Sequence, residues 1–215
     1  MHALGLCAGR AITHVVALAA HPDDLEIGCG GTLLRLAEDF PDLTADVVIA
    51  TGVPGRIAEA HRAASLFLPG CTVTLQCAGL PDGRLPGAWS AVKELLEATA
   101  ARSRPDLILA PRRTDLHQDH RTVAELVHTV WRDHLVLGYE IPKWDGDLDR
   151  PWLYVPLSEA VMRDKLRLLQ EAYPSQAGRD WFDAEVFQGL ARLRGMECRS
   201  RYAESFTTDK AVLTW

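Results

Sequence analysis

Two short runs of the chain concentrate side chains that bind metals and move protons. They are His21-Pro22-Asp23-Asp24 and Asp115-Leu116-His117-Gln118-Asp119-His120. Each run holds a ligand-type pair three residues apart, His21 with Asp24 and His117 with His120. In a tight turn or a first helical turn, such a pair converges on one point. Zinc takes imidazole nitrogen, carboxylate oxygen or thiolate, and a catalytic zinc keeps one position open beside three protein ligands. One pair from each run supplies more groups than three ligands need. The surplus suits hydrolysis, which wants a carboxylate to take a proton from water and a donor to face a developing oxyanion. Either run alone also reads as a helix start, where acidic residues are favoured by the helix dipole and as caps. It is the presence of both runs, each behind a strand-like segment, that points to a metal site.

Two other readings fit these residues less well. Two histidines and a carboxylate also make the facial triad of non-haem iron enzymes, but that triad usually sits on an antiparallel barrel. Gly28-Cys29-Gly30-Gly31 resembles a dinucleotide fingerprint. The last glycine of G-x-G-x-x-G would fall on Leu33, however, and the His-Pro-Asp-Asp run occupies the turn the glycines should form. These glycines read instead as points where a helix packs close to the sheet or backbone approaches the metal loop.

The elements that must position the two runs follow from apolar patterning. Residues 13–20 (THVVALAA), 45–51 (ADVVIAT), 72–76 (TVTLQ) and 106–110 (DLILA) read as buried strands, with further candidates at 134–141 and 152–156. Helical spacing is found over 24–38, 56–68, 90–102, 119–134, 158–172 and 183–194. Ser90 is an expected cap, Pro69-Gly70 and Pro105 are expected stops, and Gly195 is the expected end of the last helix. Strand and helix alternate, so the class is α/β with a mostly parallel sheet and helices on both faces. In such a sheet ligands bind where strands lead into helices at their carboxyl ends, which is where both runs fall. Residues 142–151 (PKWDGDLDRP) are the most loop-like stretch.

With 215 residues, 47 % hydrophobic and 24 % charged, the chain has the composition of a soluble globular protein and not of a fibre or a disordered tail. A single domain over 1–215 is the simplest organisation. The net charge of −6, without a basic patch, argues against a nucleic-acid partner. Five cysteines (Cys7, Cys29, Cys71, Cys77, Cys198) form no C-x-x-C pair, which suits free thiols and a cytoplasmic location. The apolar run 15–20 behind Arg10 has a faint look of a signal peptide, yet it is short and reads better as the first strand. No run reaches the roughly 18 apolar residues of a transmembrane helix, and there is neither a membrane anchor nor a basic amphipathic face. The sequence leaves room for a homo-oligomer.

Together with Gly28-Cys29-Gly30-Gly31-Thr32, the two runs closely resemble the PIG-L/LmbE-like family of zinc-dependent N-deacetylases. The resemblance extends over most of the chain. Arg56-Ile57-Ala58-Glu59 matches the family's R-x-x-E helix start, and Leu80-Pro81-Asp82-Gly83 its substrate loop. Ser175-Gln176 and Tyr202-Ala203-Glu204-Ser205-Phe206 match its C-terminal signatures. The resemblance implies a Rossmann-like, mostly parallel sheet flanked by helices. It implies an enzyme that removes an N-acetyl group from an N-acetylglucosamine-type sugar conjugate, using Zn2+ or another divalent metal. His21, Asp24 and His120 would hold the metal, and Asp23 would be the general base. His117 would stabilise the oxyanion and protonate the leaving amine. Asp115 and Asp119 would orient the histidines, while Arg56 and Asp82 would contact substrate hydroxyls. The alternatives are a metal-dependent amidase or esterase acting on a non-sugar acyl group, and a non-enzymatic domain that keeps the metal loop. Of the six tryptophans, Trp131 lies on an apolar helix stripe and reads as core, while Trp144 is the best candidate sugar platform. Glu140 is a further candidate to line the cleft.

Overall fold

The apolar run at 13–20 becomes β1 (His14–Ala19), and its side chains alternate between two cores. Val15, Ala17 and Ala19 face one core, and Val16, Leu18 and Ala20 face the other. A strand buried on both faces must lie inside a sheet covered by helices. The computed structural model, which describes residue 5 and residues 11–212, has that arrangement. Cys7, Arg10 and Trp215 lie outside the described residues.

After β1 come α1 (Asp24–Asp39), β2 (Thr44–Thr51), α2 (Pro54–Phe67) and β3 (Thr72–Leu80). A short 3-10 turn (Leu85–Ala88) leads into α3 (Trp89–Arg102), followed by β4 (Leu107–Pro111), α4 (Gln118–Val130) and β5 (Val136–Tyr139). The chain closes with β6 (Leu153–Leu157), α5 (Glu159–Ala172), α6 (Ala184–Cys198) and β7 (Tyr202–Thr207). The strands form one sheet in the order β3-β2-β1-β4-β5-β7-β6. β1 to β5 are parallel to one another. β7 runs antiparallel to both β5 and β6. Residues of α1, α2 and α5 build one core with the sheet, and residues of α3 and α4 build the other.

The chain winds outward from β1 to β3, then returns to place β4 on the other side of β1. The gap between β1 and β4 is therefore the topological switch point, the usual ligand position in an open α/β sheet. The first polar run follows β1 and the second follows β4.

Several sequence expectations change in detail. Ser90 does not cap α3, which starts one residue earlier with Ala88 at the N-cap and no side-chain cap. Gly195 does not end α6. The helix continues to Cys198 and is capped by Arg199 in the left-handed region at φ 62°. Gly195 is needed for packing instead, since a Cβ there would lie 2.6 Å from the Arg201 carbonyl oxygen. β7 carries no alternating apolar pattern and contains the buried Glu204 and Ser205, so the patterning rule passed over it. Trp131 is core, as expected, at 3 % exposure. Among the described residues the cysteines Cys29, Cys71, Cys77 and Cys198 are unbridged. No helix of the described residues is long and apolar enough to cross a membrane.

Candidate metal centre

The turn after β1 is drawn tight around Asp24. Its Oδ2 accepts the backbone N–H groups of Ala20 (3.0 Å) and His21 (2.7 Å). To make this turn, Asp23 adopts φ 104°, a left-handed conformation unfavourable for a residue with a Cβ. Strain of this kind collects at functional sites. The second run is folded by its own carboxylates. Asp115 Oδ1 accepts the His117 N–H (2.8 Å), and His117 Nδ1 caps α4 by accepting the Asp119 N–H (3.3 Å).

The two runs meet. His21 Nδ1 lies 3.2 Å from His120 Nε2. Asp24 Oδ1 is 3.3 Å from His120 Nε2, and Asp24 Oδ2 is 3.5 Å from His21 Nδ1. The outer nitrogen of each ring faces carboxylates. His21 Nε2 is 3.2 Å from Asp119 and 3.0 Å from Asp82. His120 Nδ1 is 3.1 Å from Asp115 Oδ2, a charge contact although off the direction of a hydrogen bond. The carboxylates at the outer nitrogens favour keeping the outer protons there, so that once the rings give up their second protons the inner nitrogens present lone pairs to each other and to a carboxylate. Three converging acceptors repel unless a cation or protons lie between them. Tetrahedral zinc with bonds of about 2.1 Å sets its ligands about 3.4 Å apart. The donor set and its spacing therefore fit a metal ion held by His21, Asp24 and His120. Donor atoms of His21, His117 and His120, and of His21, Asp82 and Asp119, also gather within 4.8 Å of one another.

The electrostatics report the same demand for positive charge. Burial disfavours the His21 cation, yet Asp24, Asp119 and Asp82 outweigh it and push the ring up to about 12. Burial likewise opposes charge on His120, and Asp24 and Asp115 raise it to about 9. Asp24, despite its burial, is held well below the usual carboxylate range by His120 and His21. His117 behaves oppositely: burial, then the charges of His120 and His21, lower it.

Asp23 sits beside the donor set. Burial pushes it up to about 7, against the pull of Arg56, whose Nη2 donates to its Oδ2 at 2.6 Å. A carboxylate balanced near neutrality is suited to take and return a proton. Arg56 also donates to the Pro22 carbonyl, to Glu59 (2.8 Å) and to Ser175 (3.3 Å). The structure thus turns Arg56 toward Asp23. Asp119 accepts the N–H groups of Gly83 (2.7 Å) and Leu85 (3.0 Å), which brings the loop carrying Asp82 to the site.

Not every candidate points to the cleft. Glu140 is buried, with its carboxylate gripped at both oxygens by Arg194 (2.7 and 2.8 Å). Trp144 is 75 % exposed on the 142–151 loop. That loop is fastened to the second run, because Asp147 accepts the Leu116 N–H (2.8 Å) and Lys143 bridges Asp147 and Asp115. Sequence reasoning missed Lys143 and Asp147, which carry no motif.

A histidine–carboxylate cluster at the switch point of an open, mostly parallel sheet defines a ligand-binding α/β protein with a candidate metal site. The particular family is shown by comparison. Residues 16–131 match the profile of the PIG-L family, GlcNAc-PI de-N-acetylase, and the chain belongs to that family. The uncharacterized deacetylase YaiS of Escherichia coli K12 is 32 % identical over 168 residues, covering 73 % of this chain and 89 % of that protein. N,N'-diacetylchitobiose deacetylase from Pyrococcus horikoshii has a similar structure, with TM-score 0.73 and 20 % identity, over 92 % of this chain and 84 % of that one. The 4-carboxy-2-hydroxymuconate hydratase GalB from Pseudomonas putida KT2440 also shares the fold, with TM-score 0.73 and 16 % identity, over 95 % of this chain and 99 % of that one. The chain is thus a member of a deacetylase family, enzymes that hydrolyse amide bonds, and its fold is the Rossmann-like α/β sheet expected.

Proposed function

We propose that the protein is a zinc-dependent N-deacetylase that releases acetate and a free amine from an N-acetylglucosamine-type sugar conjugate in the cytoplasm. The observation that carries this reading is the convergence of His21 Nδ1, His120 Nε2 and the two carboxylate oxygens of Asp24 beside Asp23. A divalent metal bound there supplies Lewis-acid polarisation of the acetyl carbonyl and lowers the pKa of water. Asp23 accepts the proton of the attacking water, and its value of about 7 lets it pass that proton on. His117, with Nδ1 engaged by the Asp119 N–H, keeps its proton on Nε2 and presents a donor to the developing oxyanion and the leaving nitrogen. Asp119 and Asp115 orient His21 and His120. Asp82, 78 % exposed at its side chain, remains available to a sugar hydroxyl while touching His21. Arg56 steadies Asp23 and contributes to substrate binding at its exposed edge.

The test is a panel of N-acetylglucosaminides, with N-acyl amino acids as the non-sugar arm, assayed for free amine with and without added zinc. Amine release confined to the sugars and dependent on zinc is expected. Asp23→Asn should keep zinc and lose at least about a hundredfold in turnover, the usual size of a general-base contribution. Turnover of the N-acyl amino acids alone would favour the amidase reading, and full activity in Asp23→Asn would overturn the base assignment.

A further inference from the structure

α1 is broken just behind its ligand turn. Cys29 has φ −143° and ψ 22°, so the helix stops and restarts within its own length. A break of this kind leaves the carbonyl of residue 27 and the N–H groups of residues 31 and 32 without their helical partners. All three are satisfied from elsewhere in the fold. Lys165 Nζ, on α5, donates to the Ile27 carbonyl at 2.7 Å. Glu204, on β7, accepts the Gly31 N–H (2.8 Å), the Thr32 N–H (2.6 Å) and the Thr32 hydroxyl (2.6 Å). Lys165 and Glu204 then pair at 2.7 Å, with both side chains 3 % exposed. Two helical turns further along, beyond the end of α5, the Tyr173 hydroxyl donates to Glu26 Oε2 at 2.8 Å.

The five residues 24–28 are therefore a separate short helical piece. It is too short to be stable alone, and Lys165 on α5 and Tyr173 just past its end grip it at Ile27 and at Glu26. Asp24 is the first residue of that piece. Its carboxylate direction depends on where the piece is held, because Oδ2 is fixed by the turn and lies 3.5 Å from His21 Nδ1, while Oδ1 faces His120 Nε2 at 3.3 Å. We propose that Lys165 and Tyr173, with Glu204 completing the break, are positioning residues that hold Asp24 at the metal site from across the core. The inference rests on Asp24 being a metal ligand. Lys165 and Glu204 bond to α1 and to each other and not to the donor set. Tyr173 also packs its ring against Arg56, 5.1 Å from Cζ to the ring centroid, a contact that Tyr173→Phe keeps.

The test is zinc affinity of the full-length chain by competition with a chromophoric chelator, measured beside thermal stability. Lys165→Met should weaken zinc at least about tenfold, the lower end for lost outer-shell support. Tyr173→Phe removes only the hydroxyl and keeps the buried ring, and it should weaken zinc in the same direction. The double variant Lys165→Met/Glu204→Gln leaves no unpaired charge and replaces the single variant if that fails to fold. Val92→Ala, in the opposite core on α3, serves as a destabilised control and should leave zinc affinity in place. Variants that lose stability but bind zinc as tightly as the parent would overturn the inference and leave the metal reading standing. A parent chain that binds no zinc would overturn both.

Discussion

At the scale of residues, the site without metal is a store of protons. His21 and His120 are raised to about 12 and about 9 from an ordinary 6.5. A raised histidine holds its proton in the folded, metal-free chain at pH values where the unfolded chain has lost it. For His120 that window opens near 6.5 and closes as pH passes about 9; for His21 it extends further. A metal takes the lone pairs those protons occupy, so zinc uptake at a pH of about 7.5 should release roughly two protons. Calorimetry in buffers of different ionisation enthalpy reads this number directly. It should fall as pH passes the His120 value, while apparent affinity rises with pH throughout. Zinc uptake with no proton release would show that the metal-free site does not hold its two histidines protonated. The residues of the two runs were legible because each run is contiguous and falls at a strand end. Arg56 was read as a substrate contact, and only the fold turns its guanidinium onto Asp23. Lys165, Tyr173 and Glu204 reach the ligand turn from 138, 147 and 172–173 residues away, a separation no local pattern encodes.

At the scale of elements, the buried parallel strands and amphipathic helices were legible because burial leaves a periodic trace. The elements that escaped are those whose ends or faces answer to distant partners. β7 is buried through polar contacts, so Glu204 and Ser205 interrupt the apolar signal a strand normally gives. The end of α6 was misjudged because glycine most often stops a helix, whereas here α6 uses it to touch the chain leading into β7. A Cβ at 195 would meet backbone atoms of Arg201 and Tyr202, at 2.6 and 2.7 Å, and backbone cannot rotate out of the way. Glycine in mid-helix is otherwise unfavourable, so Gly195→Ala would stabilise an isolated helix. In this fold the contact outweighs that gain. Gly195→Ala should destabilise the protein by about 1–3 kcal/mol, as overpacking does. Denaturant unfolding measures it, and an unchanged or higher midpoint would show that α6 can slide away from β7 at no cost.

At the scale of the whole molecule, the sheet has two parts of different logic. The five parallel strands carry both ligand runs, and β7 with β6 adds an antiparallel edge. The edge matters to the site because β7 brings Glu204 to the break in α1. The joint between the parts is one buried charge cluster. Arg194 on α6 grips Glu140, just past β5, while the Ser205 hydroxyl on β7 donates to the same carboxylate. Arg112, behind β4, adds a charge contact at 3.6 Å. Removing one member of a buried pair leaves the other uncompensated and commonly costs about 3–5 kcal/mol. Arg194→Met keeps much of the side-chain volume but leaves Glu140 with only Ser205 and the more distant Arg112. The loss should be local, since β1 and β2 pair with no strand of the antiparallel edge and β4 reaches it only through β5. Amide hydrogen exchange should therefore rise in α6, β6 and β7 while β1, β2 and β4 keep their protection. Zinc affinity should fall with it, because opening the edge withdraws Glu204 from the break in α1 and from Lys165. Uniform loss of protection across the sheet would instead mean that the two parts unfold as one unit and that the joint has no separate role.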